Sequence, residues 1–196
     1  LRAAGPFVLA VVTALWALGY KKHAPIQADL MPALKSVWLQ IHVATAILSY
    51  GPLFMSGVTA VMASVMYLRK GPWMEKRPPL EPGGEPQPSI ADRYEEWTYR
   101  IIAFGFPWLT ALIVTGAVWA NYARGRPWGW DPKEMWSAIT WFIYVAYLHM
   151  RLRQGWRGLQ ASLMAAAGLV AMVITYLLVN WLVALFGLQS LHTYSD

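Results

Sequence analysis

Four histidines, 12 tryptophans and no cysteine bound what this 196-residue chain can do at a reactive centre. Without a thiol it has no disulfide, no thiolate metal site and no cysteine nucleophile. Any thioether or thiol redox chemistry must draw its sulfur from a partner. What remains is imidazole, a neutral nitrogen ligand, beside a dense cluster of indoles. His42 and His192 stand at the ends of apolar runs, and Trp128, Trp130 and Trp136 crowd into residues 128–136 with Asp131, Pro132, Lys133 and Glu134. Haem iron takes axial imidazole and its macrocycle favours apolar, aromatic walls. Arg124, Arg126 or Lys133 can pair with haem propionates. The same groups suit a bare metal ion only with a third ligand, and the nearby carboxylates, Asp131 and Glu134, are already placed for capping. Two plainer readings stand beside these: an interfacial aromatic belt and hydrogen-bonded structural histidines.

The elements that must position these residues follow from composition. Hydrophobic residues make up 57% of the chain and charged residues only 13%, about half the charged share of a soluble domain. The chain reads as a polytopic, all-α transmembrane bundle in a single integral membrane domain, 1–196. About five spans are expected, at 5–20, 37–68, 101–120, 132–150 and 158–188. The first is short, which fits a helix that starts upstream of Leu1. Residues 37–68 carry no formal charge and would run about 48 Å as helix, more than a hydrocarbon core needs. Pro52 and Pro107 are expected to bend their helices. His42, Thr45, Ser49, Ser56 and Thr59 recur at helical spacing, a polar face expected to meet other helices or a cavity rather than lipid. Residues 69–97 are rich in Pro and Gly and read as a loop, with a short interfacial helix expected from Asp92 to Trp97. At the fourth span, Asp131 is placed as N-cap, Pro132 as first helical residue and Glu134 as the returning half of a capping box.

Charge sets the topology. Six Lys or Arg fall in residues 69–100 and three in 151–157, which puts those loops on the cytoplasmic side. The aromatic loop (121–136), the His42 end and the His192 tail then share the external side, so the net charge of +6 reflects topology rather than nucleic-acid binding. His149 lies about 26 Å along the fourth helix from Pro132, near the opposite membrane edge. An ionisable residue at that depth is a functional candidate; snorkelling beside Arg151 is its plainer reading.

The string Trp128-Gly129-Trp130-Asp131-Pro132-Lys133-Glu134-Met135-Trp136-Ser137-Ala138-Ile139-Thr140-Trp141, with Tyr147-Leu148-His149-Met150-Arg151 following, closely resembles the tryptophan-rich (WWD) region of the CcsA, or ResC, family. These are haem-handling subunits of the System II cytochrome c synthase. Trp38-Leu39-Gln40-Ile41-His42-Val43 with Ser49-Tyr50-Gly51 is similar to the family helix bearing the first external histidine. Asn180-Trp181 through Leu191-His192-Thr193-Tyr194 is similar to the helix and tail bearing the second. The resemblance covers about residues 36–196.

The resemblance implies a protein of the bacterial inner (plasma) or thylakoid membrane that works with a CcsB (ResB) membrane subunit. Haem b enters from the cytoplasmic side near His149. It is then held outside by His42 and His192 as axial ligands, against the loop carrying Trp128, Trp130, Asp131, Trp136 and Arg126. There it meets the thiols of an apocytochrome c Cys-x-x-Cys-His motif, and thioethers form. On this reading the chain is part of a holocytochrome c synthase. A haem exporter or chaperone without synthase activity, or a structural subunit of a larger membrane complex, are the alternatives. Two departures stand out: Arg124-Gly125 where the family pattern has Trp-Gly, and Pro127 where an aromatic is usual. Fewer helices precede His42 than the family pattern carries.

Overall fold

The computed structural model describes residues 35–76, 78–80 and 83–178. The chain divides into Leu1–Ser36 and Val37–Asp196, and every helix discussed here belongs to the second unit. The expected first span, the end of the last one and His192 lie outside the described residues.

Within them all regular structure is helical: α1 (Val37–Arg69), a 3-10 turn at Pro72–Met74, α2 (Ile90–Arg124), α3 (Pro132–Arg153) and α4 (Leu159–Val173), continued by a π-helical turn at Ile174–Leu178. α1, α2 and the segment Leu159–Tyr176 are each long and apolar enough to cross a membrane. α3 has 22 residues but carries Lys133 and Glu134 at one end and Arg151 and Arg153 at the other, which shortens its apolar stretch. α1 and α2 continue through Pro52 and Pro107 as helix.

The helices run alternately up and down, and cross-helix contacts fix their register. His42 meets Leu112 and Tyr67 meets Asp92 between α1 and α2. Trp141 on α3 donates to Thr110 on α2 at 2.9 Å. Thr140 on α3 lies beside Thr175 at the end of the α4 segment. The buried positions of α2 include Ala91, Glu95, Thr98, Ile102, Gly105, Leu109 and Leu112, alternating steps of four and three residues as in a coiled-coil seam. Thr140, Tyr144, Tyr147 and Arg151 repeat that rhythm on α3.

α1 is inverted relative to a soluble helix. Thr45, Ser49, Ser56 and Ser64 are buried, while Ile47, Phe54, Val61 and Leu68, seven residues apart, are exposed. Small and hydroxylated residues inside, with large apolar residues outside, is what packing in lipid favours, because outward apolar surface costs nothing there. Three of these hydroxyls, those of Thr45, Ser56 and Ser64, are met by carbonyls of their own helix, whereas Ser49 Oγ has no hydrogen-bond partner among the described residues. Ser56 donates to the Leu53 carbonyl at 2.7 Å and Ser64 to that of Ala60 at 2.8 Å. The polar face expected of α1 therefore packs on α2, with Thr59 and Thr98 2.8 Å apart and Thr45 and Thr115 3.2 Å apart.

α2 begins earlier than the expected span and takes in the segment 92–97 that reads in sequence as a separate interfacial helix. Ser89 caps it, accepting from the Asp92 amide at 3.1 Å, and the Asp92 carboxylate accepts from the Ser89 amide in return. With both orphan donors met, the helix extends into the polar region below the apolar stretch. At that end the Arg151 guanidinium, 2% exposed, pairs with Glu95 and Glu96 and lies 4.9 Å over the Tyr99 ring. Sequence reading counts Arg151 as a topogenic loop charge; in the fold it is a buried clamp between α3 and α2.

Candidate functional site

The start of α1, the end of α2, the 125–131 loop, the first turns of α3 and the end of the α4 segment meet at one end of the bundle. They line a half-open cavity of about 910 Å³ whose lining includes His42, Tyr50, Trp119, Arg124, Trp128 and Lys133. That size is in the range of cofactor and ligand sites, and the wall is chiefly apolar.

His42 is held on three sides. Its Nδ1 lies 3.1 Å from the Leu112 carbonyl oxygen, so the ring proton belongs on Nδ1 and the Nε2 atom carries the lone pair. Trp119, about two turns beyond Leu112, stacks on the ring with planes 7° apart and centroids at 6.3 Å. Gly116 lies between Leu112 and Trp119 on the same face of α2. A Cβ there would sit 2.7 Å from His42 Cε1 and 3.0 Å from Nδ1. The missing side chain at Gly116 is what lets the imidazole lie against the backbone of α2. A histidine with one nitrogen donated to a carbonyl is the usual preparation for metal ligation by the other. In donor type, tautomer and wall chemistry the cavity fits a haem with imidazole ligation.

The loop is built by short-range chemistry. Gly125 ends α2 at φ 72°, the left-handed cap position suited to glycine. Asp131 is buried and caps α3, accepting from the Lys133 amide at 2.9 Å. Glu134 completes the capping box with one oxygen, which accepts from Gly129 at 2.7 Å and from Asp131 at 3.4 Å. Its other oxygen accepts from Arg124 Nη2 at 3.0 Å. One carboxylate thus ties the end of α2, the middle of the loop and the start of α3 together. The loop tip is strained: Trp130 has φ 57°, in the left-handed region that bulky residues avoid. That backbone turns its indole outward, 74% exposed, edge-on to Trp128 at 6.3 Å and 87°.

Of the residues singled out in sequence, His42 and Trp128 line the cavity. Trp130, half-buried Trp136 and exposed Arg126 sit around the loop and α3 without lining it. Asp131 acts on the loop as its cap. His149 is exposed near the far end of α3. His192 is outside the described residues. Trp119, Gly116 and Tyr50 went unnoticed in sequence as parts of a site. Extending the seam of α2 beyond Leu112 by its own rhythm reaches Gly116 and Trp119, so that signal was present.

Residues 2–186 match the family of cytochrome C assembly proteins. Among similar proteins, the cytochrome c biogenesis protein CcsA of Gloeobacter violaceus is 36% identical over 98% of this chain and 69% of its own length. That of Gloeothece citriformis is 36% identical over 93% of this chain and 66% of its own. That of Chlamydomonas reinhardtii is 38% identical over 85% of this chain and 43% of its own. The chain thus spans between 43% and 69% of the length of these three relatives. A cavity walled by histidine and indole, bordered by the capped tryptophan loop, and identities at this level over most of the chain lead to one assignment: the chain belongs to the cytochrome c assembly protein family, among its CcsA members.

Proposed function

We propose that the chain serves cytochrome c biogenesis by binding haem b in this cavity and presenting it at the end of the bundle that carries the tryptophan loop. The observation that carries the reading is His42, which lines the cavity with Nδ1 committed to Leu112 and its ring stacked on Trp119. When bound, haem would supply an iron that imidazole nitrogens can hold and two vinyl groups open to thiols. His42, through Nε2, and His192 would hold that iron. Trp119 and Trp128 wall the cavity, and exposed Trp130 and Arg126 with half-buried Trp136 lie where an apocytochrome c Cys-x-x-Cys-His segment would approach. Asp131 and Glu134 hold that surface in place. His149 receives haem at the opposite, cytoplasmic edge. A CcsB (ResB)-like membrane subunit completes the synthase, and the tryptophan loop faces the external side of a bacterial inner or thylakoid membrane.

The test is the visible spectrum of the protein purified with its membrane partner. His42→Ala and His192→Ala should each lower haem content and shift the Soret band, with exogenous imidazole restoring it. Unchanged spectra in both variants refute the ligand assignment.

A further inference from the structure

Among the described residues, the charged groups lining the cavity are Arg124, Lys133 and Glu134. Two of them neutralise each other. Arg124 Nη2 lies 3.0 Å from one Glu134 oxygen, and the other oxygen accepts from the Gly129 and Asp131 amides. The remaining nitrogens of Arg124, Nε and Nη1, are buried and closed to a ligand. Arg126 is exposed on the loop and does not line the cavity. Lys133 differs from both. Its side chain is half-buried, yet its ammonium has no ion pair with any described residue. Asp131 accepts from the Lys133 amide, not from its ammonium, and Glu134 is spent on Arg124 and the loop. The nitrogen is not sealed off either: the buried side-chain atoms without a partner include two of Arg124 but not Nζ of Lys133. A partly desolvated ammonium without a counterion is costly. Its position adds to the cost. Lys133 is the second residue of α3, where the positive end of the helix dipole favours anions and opposes cations. Local helix energetics therefore do not account for a lysine here, whereas an anion reaching it from the cavity does.

We propose that Lys133 is the anchor for a carboxylate of the cavity's ligand, received by Nζ beside the start of α3. The inference rests on the haem reading and deepens it: the ligand is bound as an acid, with one propionate at the α3 end of the cavity. There the ammonium and the α3 dipole favour the same charge. The Lys133 and Glu134 amides are already taken by Asp131, so the ammonium makes the direct contact. Lysine is a compact charge with rotatable donors, so what the site needs at this position is a cation rather than a fixed fork. The other role open to Lys133 is to cover apolar wall with its methylene stem, and that role makes no distinction between an acid and its ester.

The experiment compares iron protoporphyrin IX with its dimethyl ester, titrated by Soret absorbance into the full-length protein with its membrane partner in detergent. The quantity read is the ratio of diacid to ester affinity. Lys133→Met keeps the stem and removes the charge. It should lower that ratio about tenfold or more, the worth of one charge-assisted contact, and leave ester affinity unchanged. Lys133→Arg keeps the charge and should keep the ratio. Lys133→Gln gives the same reading as methionine if the methionine variant does not fold. A wild-type ratio surviving in Lys133→Met or Lys133→Gln overturns the anchor while leaving haem binding intact. Parallel loss of both affinities means that the stem supports the wall, and also overturns it. Failure of the wild type to bind either porphyrin refutes the haem reading itself, and the anchor with it.

Discussion

Replacing Gly116 with alanine tests how the site is assembled. The new Cβ would lie 2.7 Å from His42 Cε1 and 3.0 Å from Nδ1, closer than packed carbon and nitrogen atoms tolerate. The imidazole cannot retreat without leaving the Leu112 carbonyl, 3.1 Å from Nδ1, and its stack on Trp119. Overpacking of this kind costs about 1–3 kcal/mol, and the lost hydrogen bond about 1 kcal/mol more. Alanine in place of helical glycine returns up to about 1 kcal/mol. Gly51→Ala on α1 isolates that gain, because nothing lies within 4 Å of its Cβ position. Gly116→Ala should therefore be about 2–4 kcal/mol less stable than Gly51→Ala. For ligand binding, disturbing the partner that orients a metal-bound histidine costs about 10- to 100-fold in affinity. Thermal unfolding in detergent reads the first quantity and haem titration the second. If Gly116→Ala unfolds with Gly51→Ala and binds haem like the wild type, the backbone of α2 does not seat His42.

Two further perturbations separate local from long-range effects. Asp131→Ala removes the cap of α3 and should cost about 0.5–2 kcal/mol, whereas Asp131→Asn keeps an acceptor and should be milder; proteolysis of the loop reports both, and equal damage would mean that the charge itself matters. Arg151→Met strands buried Glu95, while Glu96 keeps Arg100, and should cost about 3–5 kcal/mol, most of it recovered by adding Glu95→Gln; a single variant with wild-type thermal stability would remove the clamp between α3 and α2.

Much of this protein is legible without coordinates. The positions of the helices follow from local hydropathy, and the start of α3 from Asp131, Pro132 and Glu134, because caps and amphipathic period are interactions between residues a few positions apart. That His42 and the tryptophan loop lie at one end of the bundle follows from counting spans between them. The inward polar face of α1 was likewise readable from the spacing of Thr45, Ser49, Ser56 and Thr59. The start of α2 was missed because the Pro- and Gly-rich composition upstream masked the Ser89–Asp92 cap.

What only the tertiary structure decided is the rotation of each helix about its axis and the register between helices far apart in sequence. Those choose Trp119 as the indole against His42, since Leu112, Gly116 and Trp119 become a site only when α1 lays an imidazole on that face. They bring Arg151 to Glu95 across 56 positions, turning an apparent surface charge into a buried one. The left-handed backbone at Trp130 sends outward a side chain that the motif alone places in the wall. Residue types and short spacings fix which groups are available and at which end, because those are set along one helix; which of them touch is set by packing between helices, where a small rotation exchanges one neighbour for another.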